Sequence, residues 1–259
     1  MESRTPSKLA LVVALSVALI GCGGSGSSSP STSSLAAGLI HWWRFNGNSN
    51  DSVGNLSTTP IGPVSYVSAP GQGIVFNGAT TGINLPAATD MQFQASYSIS
   101  AWAKLNSYAD PSELWSTIIF CGDDRVGLDP FYIQVDPNGN LQFQTASATR
   151  SLGINATAQF PLNQWVFVAG TYNKAAGIEC LYVNGKLDIE GLQAPDLTPV
   201  VPLDPTQNPG IGIGTNNNFP NDFYNMAWNG AISDLRVYNR ALSAAEVQAL
   251  YSKSAATYQ

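Results

Sequence analysis

The chain has 259 residues, of which 11% are charged, and its net charge at pH 7 is −6. Its few basic residues are scattered singly, so it lacks the clustered positive charge that binding to nucleic-acid phosphates requires. Composition therefore excludes a nucleic-acid-binding protein of the usual electrostatic kind and favours sugars or cations as partners.

Residues 1–21 have the pattern of a secretory signal peptide. Arg4 and Lys8 precede an uncharged apolar run over 9–20 that is too short to span a bilayer as a mature helix. The run ends in the sequence LIGC, which resembles the bacterial lipobox, and this resemblance implies that Cys22 becomes the lipid-modified first residue of the mature protein. The alternative is an ordinary secretory signal with an incidental cysteine. We expect a lipid-anchored protein of the bacterial cell envelope, on the outer membrane or cell surface or facing the periplasm.

Residues 22–34 are rich in Ser and Gly and contain no large apolar side chain. Such a segment buries too little surface to offset the entropy of ordering, so it is predicted to be a flexible tether. Roughly 225 residues follow without a break in composition, a common size for one β-sandwich. The sequence thus predicts a single domain over 35–259, and removal of the signal peptide leaves a net charge of −7.

Only two further cysteines, Cys121 and Cys180, follow the predicted signal peptide and its cysteine. A disulfide between them is chemically permitted in an oxidising compartment. The alternative is two reduced thiols buried as small apolar side chains. With His41 as the single histidine, the chain lacks the four ligands of a usual structural zinc site.

Short alternating runs separated by Gly, Pro, Asn and Asp predict β-strands from residue 39 onward. The ten clearest runs are 39–45, 73–78, 98–105, 116–122, 131–136, 140–145, 164–172, 179–185, 210–215 and 231–238. Asn-Gly pairs at 138–139 and 184–185 are typical of tight antiparallel hairpins. No long amphipathic helix separates the strands, so the pattern excludes a parallel α/β sheet and predicts an all-β sandwich or barrel.

One helix is predicted at the C-terminal end. Ser243 and Glu246 form a capping box, in which each side chain bonds the other residue's backbone amide. Val247, Leu250 and Tyr251 then recur at helical spacing and predict that this helix packs on the sandwich.

The order of the motifs carries a family resemblance. They are FNGNSNDSVGN (45–55), GIVFNGATTGINLP (73–86), YSISAWAKLN (97–106), QWVFVAGTYN and LYVNGKL within 164–187, and NGAISDLRVYNRALSAAEV (229–247). Together they resemble the laminin-G-like domains of bacterial surface proteins, which belong to the concanavalin A-like lectin and glucanase fold, as do the pentraxins. The resemblance covers about 39–252 and implies an all-β jelly roll of two antiparallel sheets with a short C-terminal helix.

The resemblance also implies a structural calcium ion near the first and last strands, held by oxygen ligands. The candidate ligands are Asn46, Asn50, Asp51, Asn77 and Asp234. Many relatives have two adjacent acidic residues where this chain has Ser233-Asp234. Strand alternation places Asp234 on the face that carries Ile232, away from the face of Ser233 and Leu235. The alternative role for Asp234 is structural, as a carboxylate bonded to loop amides or paired with an arginine.

Carbohydrate binding requires aromatic faces for the C–H surface of a sugar and polar groups for its hydroxyls. The candidate ligand-binding residues are Trp115, Tyr132, Asn216, Asn217, Asp222, Tyr224 and Trp228. The stretch 215–228 is predicted to be the ligand loop, and the alternative is an ordinary loop packed down by its own aromatic side chains. Trp43, Trp165 and Phe167 are expected in the core.

No catalytic residues are predicted. The chain has no run of acidic residues spaced like the carboxylate pair of a retaining glycosidase, and its histidine lies in a predicted strand without a nucleophile motif. Fold does not fix function, because this architecture serves lectins, enzymes and protein-binding modules. We expect a non-catalytic carbohydrate-binding module. A protein-binding adhesive module is the alternative, and a divergent glycoside hydrolase or polysaccharide lyase is the third hypothesis.

Overall fold

A computed structural model describes residues 30–68, 71–93, 95–112, 115–123, 125, 129–147, 150–192, 203–207, 209–216 and 226–259. The strands of this part of the chain are β1 (Leu39–Trp43), β2 (Thr59–Ile61), β3 (Ser65–Val67), β4 (Gly73–Asn77), β5 (Gly82–Leu85), β6 (Tyr97–Leu105), β7 (Ser116–Gly122), β8 (Phe131–Val135), β9 (Asn140–Ser147), β10 (Arg150–Gln159), β11 (Trp165–Asn173), β12 (Ile178–Val183), β13 (Lys186–Leu192), β14 (Gly210–Ile213) and β15 (Asn229–Tyr238). The helices are α1 (Thr32–Ala36), a 3-10 turn (Thr89–Met91) and α2 (Ala244–Tyr258).

The strands form two antiparallel sheets. Sheet A has the order β13-β12-β11-β6-β15-β4-β3, and β1 also pairs with β15. Sheet B has the order β10-β9-β8-β7-β14-β5-β2. The predicted two-sheet all-β sandwich is confirmed, and all ten predicted strands are present with shifts of at most two residues at their ends. Strands β2, β3, β5, β10 and β13 were not among those ten runs.

The main hydrophobic core fills the space between the two sheets. On β8, for example, Phe131, Ile133 and Val135 are fully buried in this core, whereas Tyr132 and Gln134 face away from it. Alternation along each strand turns every second side chain inward, so the sequence pattern translates directly into the two faces of the sheet.

The outer face of sheet A is also apolar, because helix α2 covers it. Trp102 stacks on Tyr258 with ring centroids 4.5 Å apart, and its indole nitrogen donates a 2.9 Å hydrogen bond to Ser254 Oγ. Phe167 meets the edge of the same indole. The two apolar faces of β6 and β11 therefore serve two separate cores, and Trp102 points toward the helix.

The capping box of α2 is confirmed. Ser243 Oγ accepts from the Glu246 amide, and Glu246 Oε2 accepts a 2.9 Å hydrogen bond from the Ser243 amide. Arg240 adds an ion pair with Glu246 at 2.8 Å, so the helix start is tied to the end of β15. Within the described residues, no helix is long and apolar enough to cross a membrane.

Strand β15 changes partner at its middle. Residues 229–232 pair with β4 and residues 235–238 pair with β1, and a β-bulge lies between Ser233 and Arg236 on the side of β6. Asp234 has a φ of +49° within this bulge. The bulge breaks the alternation: Ser233 contacts Tyr258 of the outer layer, whereas Leu235, two residues later, lies with Ile232 in the core between the sheets. The predicted face shared by Asp234 and Ile232 is therefore wrong, because a bulge adds one residue that period-two alternation does not count.

The predicted disulfide between Cys121 and Cys180 is wrong. Cys121 is a free, buried thiol in the core between the sheets. Cys180 lies in the cluster under α2, on the other face of sheet A. The two side chains therefore lie on opposite faces of a strand of sheet A. A disulfide could not join them without backbone movement.

The start of the fold extends into the predicted tether. Helix α1 occupies Thr32–Ala36, and the Ser31 side chain caps it by accepting from the Ser34 amide. Leu35 is buried in the cluster under α2. The described fold therefore begins a few residues before the predicted boundary at residue 35. The signal peptide and the lipidation site at Cys22 lie outside the described residues.

Candidate functional site

A cavity of about 500 Å³ opens at one edge of the sandwich, where β4 and β6 end and β7 and β15 begin. We call it the edge cavity. Its lining residues come from four segments and are Gly78, Ser107, Tyr108, Ala109, Asp110, Pro111, Ser116, Ala227 and Asn229. Its volume falls within the usual range of ligand pockets, roughly 300–1,000 Å³.

Backbone hydrogen bonds fix the walls of the edge cavity. The Asn106 amide donates to the Asn229 carbonyl at 2.8 Å, and the Gly78 amide donates to the Trp228 carbonyl at 3.1 Å. Gly78 has a φ of +72°, and a side chain there would approach Asn229 Cβ to 2.7 Å. The close approach of these segments thus depends on a glycine after β4.

Polar side chains with complementary hydrogen-bonding groups line one side of the cavity. Asn229 Nδ2 donates a 2.7 Å hydrogen bond to Ser107 Oγ, which holds both side chains in place. Asp110 Oδ1 accepts from the hydroxyl and the amide of Ser112 at 2.6 and 2.9 Å. These bonds lower the pKa of Asp110, so its carboxylate is charged at neutral pH. The site therefore offers a carboxylate, an amide and hydroxyls to a ligand.

Tyr108 supplies an aromatic ring whose position is fixed. Its hydroxyl donates a 2.8 Å hydrogen bond to the Phe160 carbonyl. Its ring lies against the turn between β8 and β9, where a Cβ on Gly139 would come within 2.6 Å of Tyr108 Cζ. A ring whose hydroxyl end is held in this way loses little conformational freedom when a ligand packs on it.

Trp228, predicted as a ligand-binding residue, is a core residue beneath the cavity. It is fully buried, its indole nitrogen donates to the Lys104 carbonyl at 3.0 Å, and its ring meets Phe160 edge-on. This prediction is corrected, because a fully buried indole presents no surface to a ligand.

Of the other predicted ligand-binding residues, the three that the structure describes do not converge on one site. Trp115 is half-buried and precedes Ser116 of the cavity wall. Tyr132 lies on the outer face of sheet B, where it stacks against Phe120 and donates a 2.5 Å hydrogen bond to Gln144. Asn216 is buried, and its backbone lies close to Gly212 of the same sheet. The predicted residues Asn217, Asp222 and Tyr224 lie outside the described residues.

Sequence reasoning missed Ser107, Tyr108, Asp110 and Asn229. Each is next to a feature that was identified: the first three follow the predicted strand 98–105, and Asn229 follows Trp228. A tyrosine among turn-forming residues, in NSYADPS (106–112), was the available signal for an aromatic wall built from a loop.

Among the predicted calcium ligands, Asp51 is saturated by protein donors. It is buried and accepts hydrogen bonds from the amides of Trp42, Val53, Gly54 and Leu56 at 3.0–3.1 Å. His41 Nδ1 lies 2.7 Å from its Oδ2. Burial opposes ionisation, but these hydrogen bonds outweigh it and lower the pKa of Asp51.

Asp234 lies on the opposite face of β1 from Asp51. Its Oδ1 accepts a 2.6 Å hydrogen bond from the Trp42 indole and an ion pair from Arg236 at 2.9 Å. Because His41 and Trp42 are consecutive strand residues, their side chains point to opposite faces, and so do the two carboxylates that they contact. The structure therefore places the two carboxylates on opposite faces of β1, each bonded to protein donors, and a calcium ion shared by them stays a prediction.

The remaining predicted metal ligands are equally separate. Asn77 Oδ1 accepts from Ala79, Thr80 and Thr81 in its own turn, and Asn46 and Asn50 are exposed. In the part of the chain that the structure describes, no group of three His, Cys, Asp or Glu side chains is placed to hold a metal ion. Calcium binding by this protein stays a prediction.

Comparison of the sequence with protein families gives one match. The profile of the family Laminin_G_3, described as the concanavalin A-like lectin/glucanases superfamily, matches residues 77–248. This is well over half of the chain, and it includes every lining residue of the edge cavity. Among curated proteins, no sequence matches the chain significantly.

Several solved structures share the fold. Domain 4 of AbnA, a GH43 extracellular arabinanase from Geobacillus stearothermophilus solved in complex with arabinotriose, is 24% identical with a TM-score of 0.60, and the match covers 83% of this chain and 98% of that domain. A botulinum neurotoxin type C structure, whose subject is cell entry through two ganglioside molecules, is 17% identical with a TM-score of 0.62, covering 86% of this chain and 53% of the other.

The binding domain of botulinum neurotoxin DC in complex with SialylT is 19% identical with a TM-score of 0.62, and the match covers 85% of this chain and 52% of the other. The chain thus spans about half the length of these toxin structures. At such identities the similarity shows the fold.

Proposed function

This chain belongs to the Laminin_G_3 family of the concanavalin A-like lectin/glucanase superfamily, and from that premise we propose that it is a non-catalytic module that binds a neutral carbohydrate in the edge cavity. The observation that carries the proposal is the combination, in one cavity, of the fixed Tyr108 ring with the polar groups of Ser107, Asp110 and Asn229.

This combination matches the chemistry of a sugar. A pyranose or furanose ring has an apolar C–H face that packs on an aromatic ring, and hydroxyls that both donate and accept hydrogen bonds. Asp110 accepts from hydroxyls as a charged acceptor, which gives stronger and shorter hydrogen bonds than a neutral group. Asn229 and Ser107 are already bonded to each other, so they meet a ligand without first being ordered.

The charge of the cavity favours neutral sugars over acidic ones. Among the lining residues that the structure describes, Asp110 is the only charged one. A uronic or sialic acid bound beside it would bring two negative charges together, and these described residues include no cation to offset them. Repulsion of this kind discriminates between ligands as effectively as an added contact does.

The named ligands of the similar structures support a sugar as the ligand class. One was solved with arabinotriose, a neutral oligosaccharide, and another with SialylT. The match to the first of these also covers 98% of that domain. Arabinotriose is therefore the first probe to test.

The experiment is a titration of the mature chain with arabinotriose, followed by calorimetry, beside a panel of neutral and uronic-acid oligosaccharides. Tyr108→Ala removes the aromatic wall and is expected to weaken binding by about tenfold, which corresponds to about 1.4 kcal/mol. Tyr108→Phe keeps the ring, loses only the bond to Phe160, and is expected to retain most of the affinity. Absence of binding to every oligosaccharide would contradict the proposed function.

Three further parts of the proposal rest on sequence expectations. A non-catalytic role predicts that the chain releases no reducing ends from any polysaccharide that it binds. A lipid anchor at Cys22 predicts that the full chain partitions into detergent and that Cys22→Ser abolishes this.

The alternative of a protein-binding module predicts capture of an envelope protein that free oligosaccharide does not displace.

A further inference from the structure

A second cavity lies on the outer face of sheet A, beside the end of helix α2. Its volume is about 270 Å³. Val67, Val75 and Ala231 give it an apolar lining, to which Trp165 adds an aromatic ring and Lys104 a positive charge. We call it the outer-face cavity.

Four of these residues form one row across sheet A. Trp165 pairs with Lys104, Lys104 pairs with Ala231, and Ala231 pairs with Val75, on strands β11, β6, β15 and β4. The residue that follows each of the four in its strand lies in the core between the sheets. Alternation therefore turns the whole row outward, and the hydrogen bonds of the sheet fix its spacing.

Trp165, predicted to be a core residue, is half-buried and held in place. Its ring meets the ring of Tyr258 edge-on, with the centroids 5.0 Å apart. It also lies against the backbone of Gly71 and Gly73, where an added Cβ would come within 2.5 Å of Trp165 Nε1 and 3.0 Å of Trp165 Cη2. An aromatic ring fixed by such contacts can bind the C–H face of a sugar with little loss of freedom.

Lys104 gives the outer-face cavity a hydrogen-bond donor. It is half-buried, and none of the ion pairs formed by the described residues includes its ammonium. An ammonium offers three N–H donors, which the hydroxyl oxygens of a sugar can accept. Asp110 has the complementary role in the edge cavity, where its carboxylate accepts from hydroxyls.

The two cavities adjoin each other. Asn106 and Gly230 line the outer-face cavity, and their chain neighbours Ser107 and Asn229 line the edge cavity. The 2.8 Å hydrogen bond from the Asn106 amide to the Asn229 carbonyl therefore belongs to both walls. Two residues along β15 and two strand spacings separate Asn229 from Trp165, so their Cα atoms are roughly 12 Å apart. An oligosaccharide can cover this distance, whereas a single sugar ring is too small.

From this geometry we propose that the outer-face cavity binds further units of the same neutral oligosaccharide that occupies the edge cavity, and this inference rests on the proposed function. Trp165 packs on the C–H face of a sugar ring, and Lys104 donates to its hydroxyls. A chain that spans both cavities meets one carboxylate and one ammonium among the described lining residues, which suits a neutral polymer. Since the edge cavity already holds the chain, the second contact forms at a high effective concentration. Affinity should therefore rise with chain length.

The test compares the trimer and the hexamer of the oligosaccharide that binds best in the panel above, beginning with arabinotriose and arabinohexaose. Calorimetry with the mature chain is expected to show about tenfold tighter binding of the hexamer, the gain from burying about 55 Å² of additional apolar surface. The NMR signal of the Trp165 indole N–H should shift with the hexamer and not with the trimer. Equal affinities of trimer and hexamer would overturn this inference and leave the edge cavity as the binding site. Absence of binding by the whole panel would overturn the proposed function and this inference with it.

The matched variant is Ala231→Leu, which fills the outer-face cavity without removing a contact, so folding is preserved. It is expected to lower the affinity of the hexamer to that of the trimer and to leave the trimer unchanged. Trp165→Ala should give the same result by removing the aromatic ring. Ala36→Leu, the same substitution at an exposed position of α1, is the control. An unchanged hexamer affinity in Ala231→Leu, or an equal loss for trimer and hexamer, would overturn the inference.

Discussion

The indole of Trp42 donates a 2.6 Å hydrogen bond to the buried carboxylate of Asp234, across the pairing of β1 with β15. Asp234 occupies the position where β15 exchanges β4 for β1 as its neighbour. The bond therefore joins the first strand of the domain to the last at the point where β15 changes partner. Burial raises the pKa of Asp234, which Arg236 and Trp42 partly offset.

This relationship predicts coupling between the two residues. In a double-mutant cycle of Trp42→Phe and Asp234→Asn, we expect an interaction free energy of about 1.5–3 kcal/mol, because the acceptor is charged and buried. Asparagine tolerates the positive φ of residue 234, so backbone strain does not confuse the result. Unfolding by urea measures the cycle, and Asp110→Asn controls for loss of an exposed charge. Additive effects of the two changes would show that the bond contributes nothing.

Asp51 is expected to be equally important with and without calcium. Replacing it by Asn leaves donors unmatched around a buried group, and we expect a loss of about 1–3 kcal/mol in the free energy of unfolding. Because protein donors saturate its oxygens, the loss should be the same in excess calcium and in excess chelator. Thermal melts in the two buffers measure this. A loss confined to the calcium buffer would show that Asp51 is a calcium ligand after all.

Asp129 is expected to make stability fall as the pH rises. Burial, together with the nearby charge of Asp123, raises its pKa to about 7, well above the value of an unfolded Asp. The folded state therefore binds a proton that the unfolded state releases between about pH 4 and pH 7, and stability decreases over this interval. Asp129→Asn should stabilise the protein at pH 8 relative to wild type and have little effect at pH 4. Urea midpoints at the two pH values measure the difference, and an equal effect at both would contradict the assignment.

Cys121 is expected to be unreactive in the folded protein. Burial between the sheets raises the pKa of its thiol, so little of the reactive thiolate forms. Iodoacetamide should modify the peptide that contains Cys121 only after denaturation, as mass mapping can show. If that peptide were recovered cross-linked to the peptide that contains Cys180, the disulfide predicted from the sequence would be correct.

The sequence was sufficient to predict the fold. For the candidate site, it predicted only residues next to those that line the cavity. Alternation and the Asn-Gly turns predicted the strands because both are local, and the capping box at Ser243 predicted the last helix for the same reason. The bulge at Ser233 and Asp234 has no local signature, so the face of Ile232 was assigned wrongly. Trp228 was predicted as a ligand residue because it follows a polar loop, but its burial depends on Phe160 and Lys104, which are remote in sequence.

The turn between β8 and β9 is expected to control the edge cavity. Gly139 has a φ of +87°, and an added Cβ would approach Tyr108 Cζ to 2.6 Å, so Gly139→Ala must strain the turn and displace the ring. We expect weaker binding of arabinotriose and a shift in the Tyr108 ring resonances. Asn138→Ala is the matched control in the same turn, because its backbone carbonyl still accepts from Gln159. Because the ring resonances report the displacement without a ligand, an unmoved Tyr108 ring in Gly139→Ala would show that the turn does not position this wall. A displaced ring with undiminished affinity would instead place the sugar elsewhere.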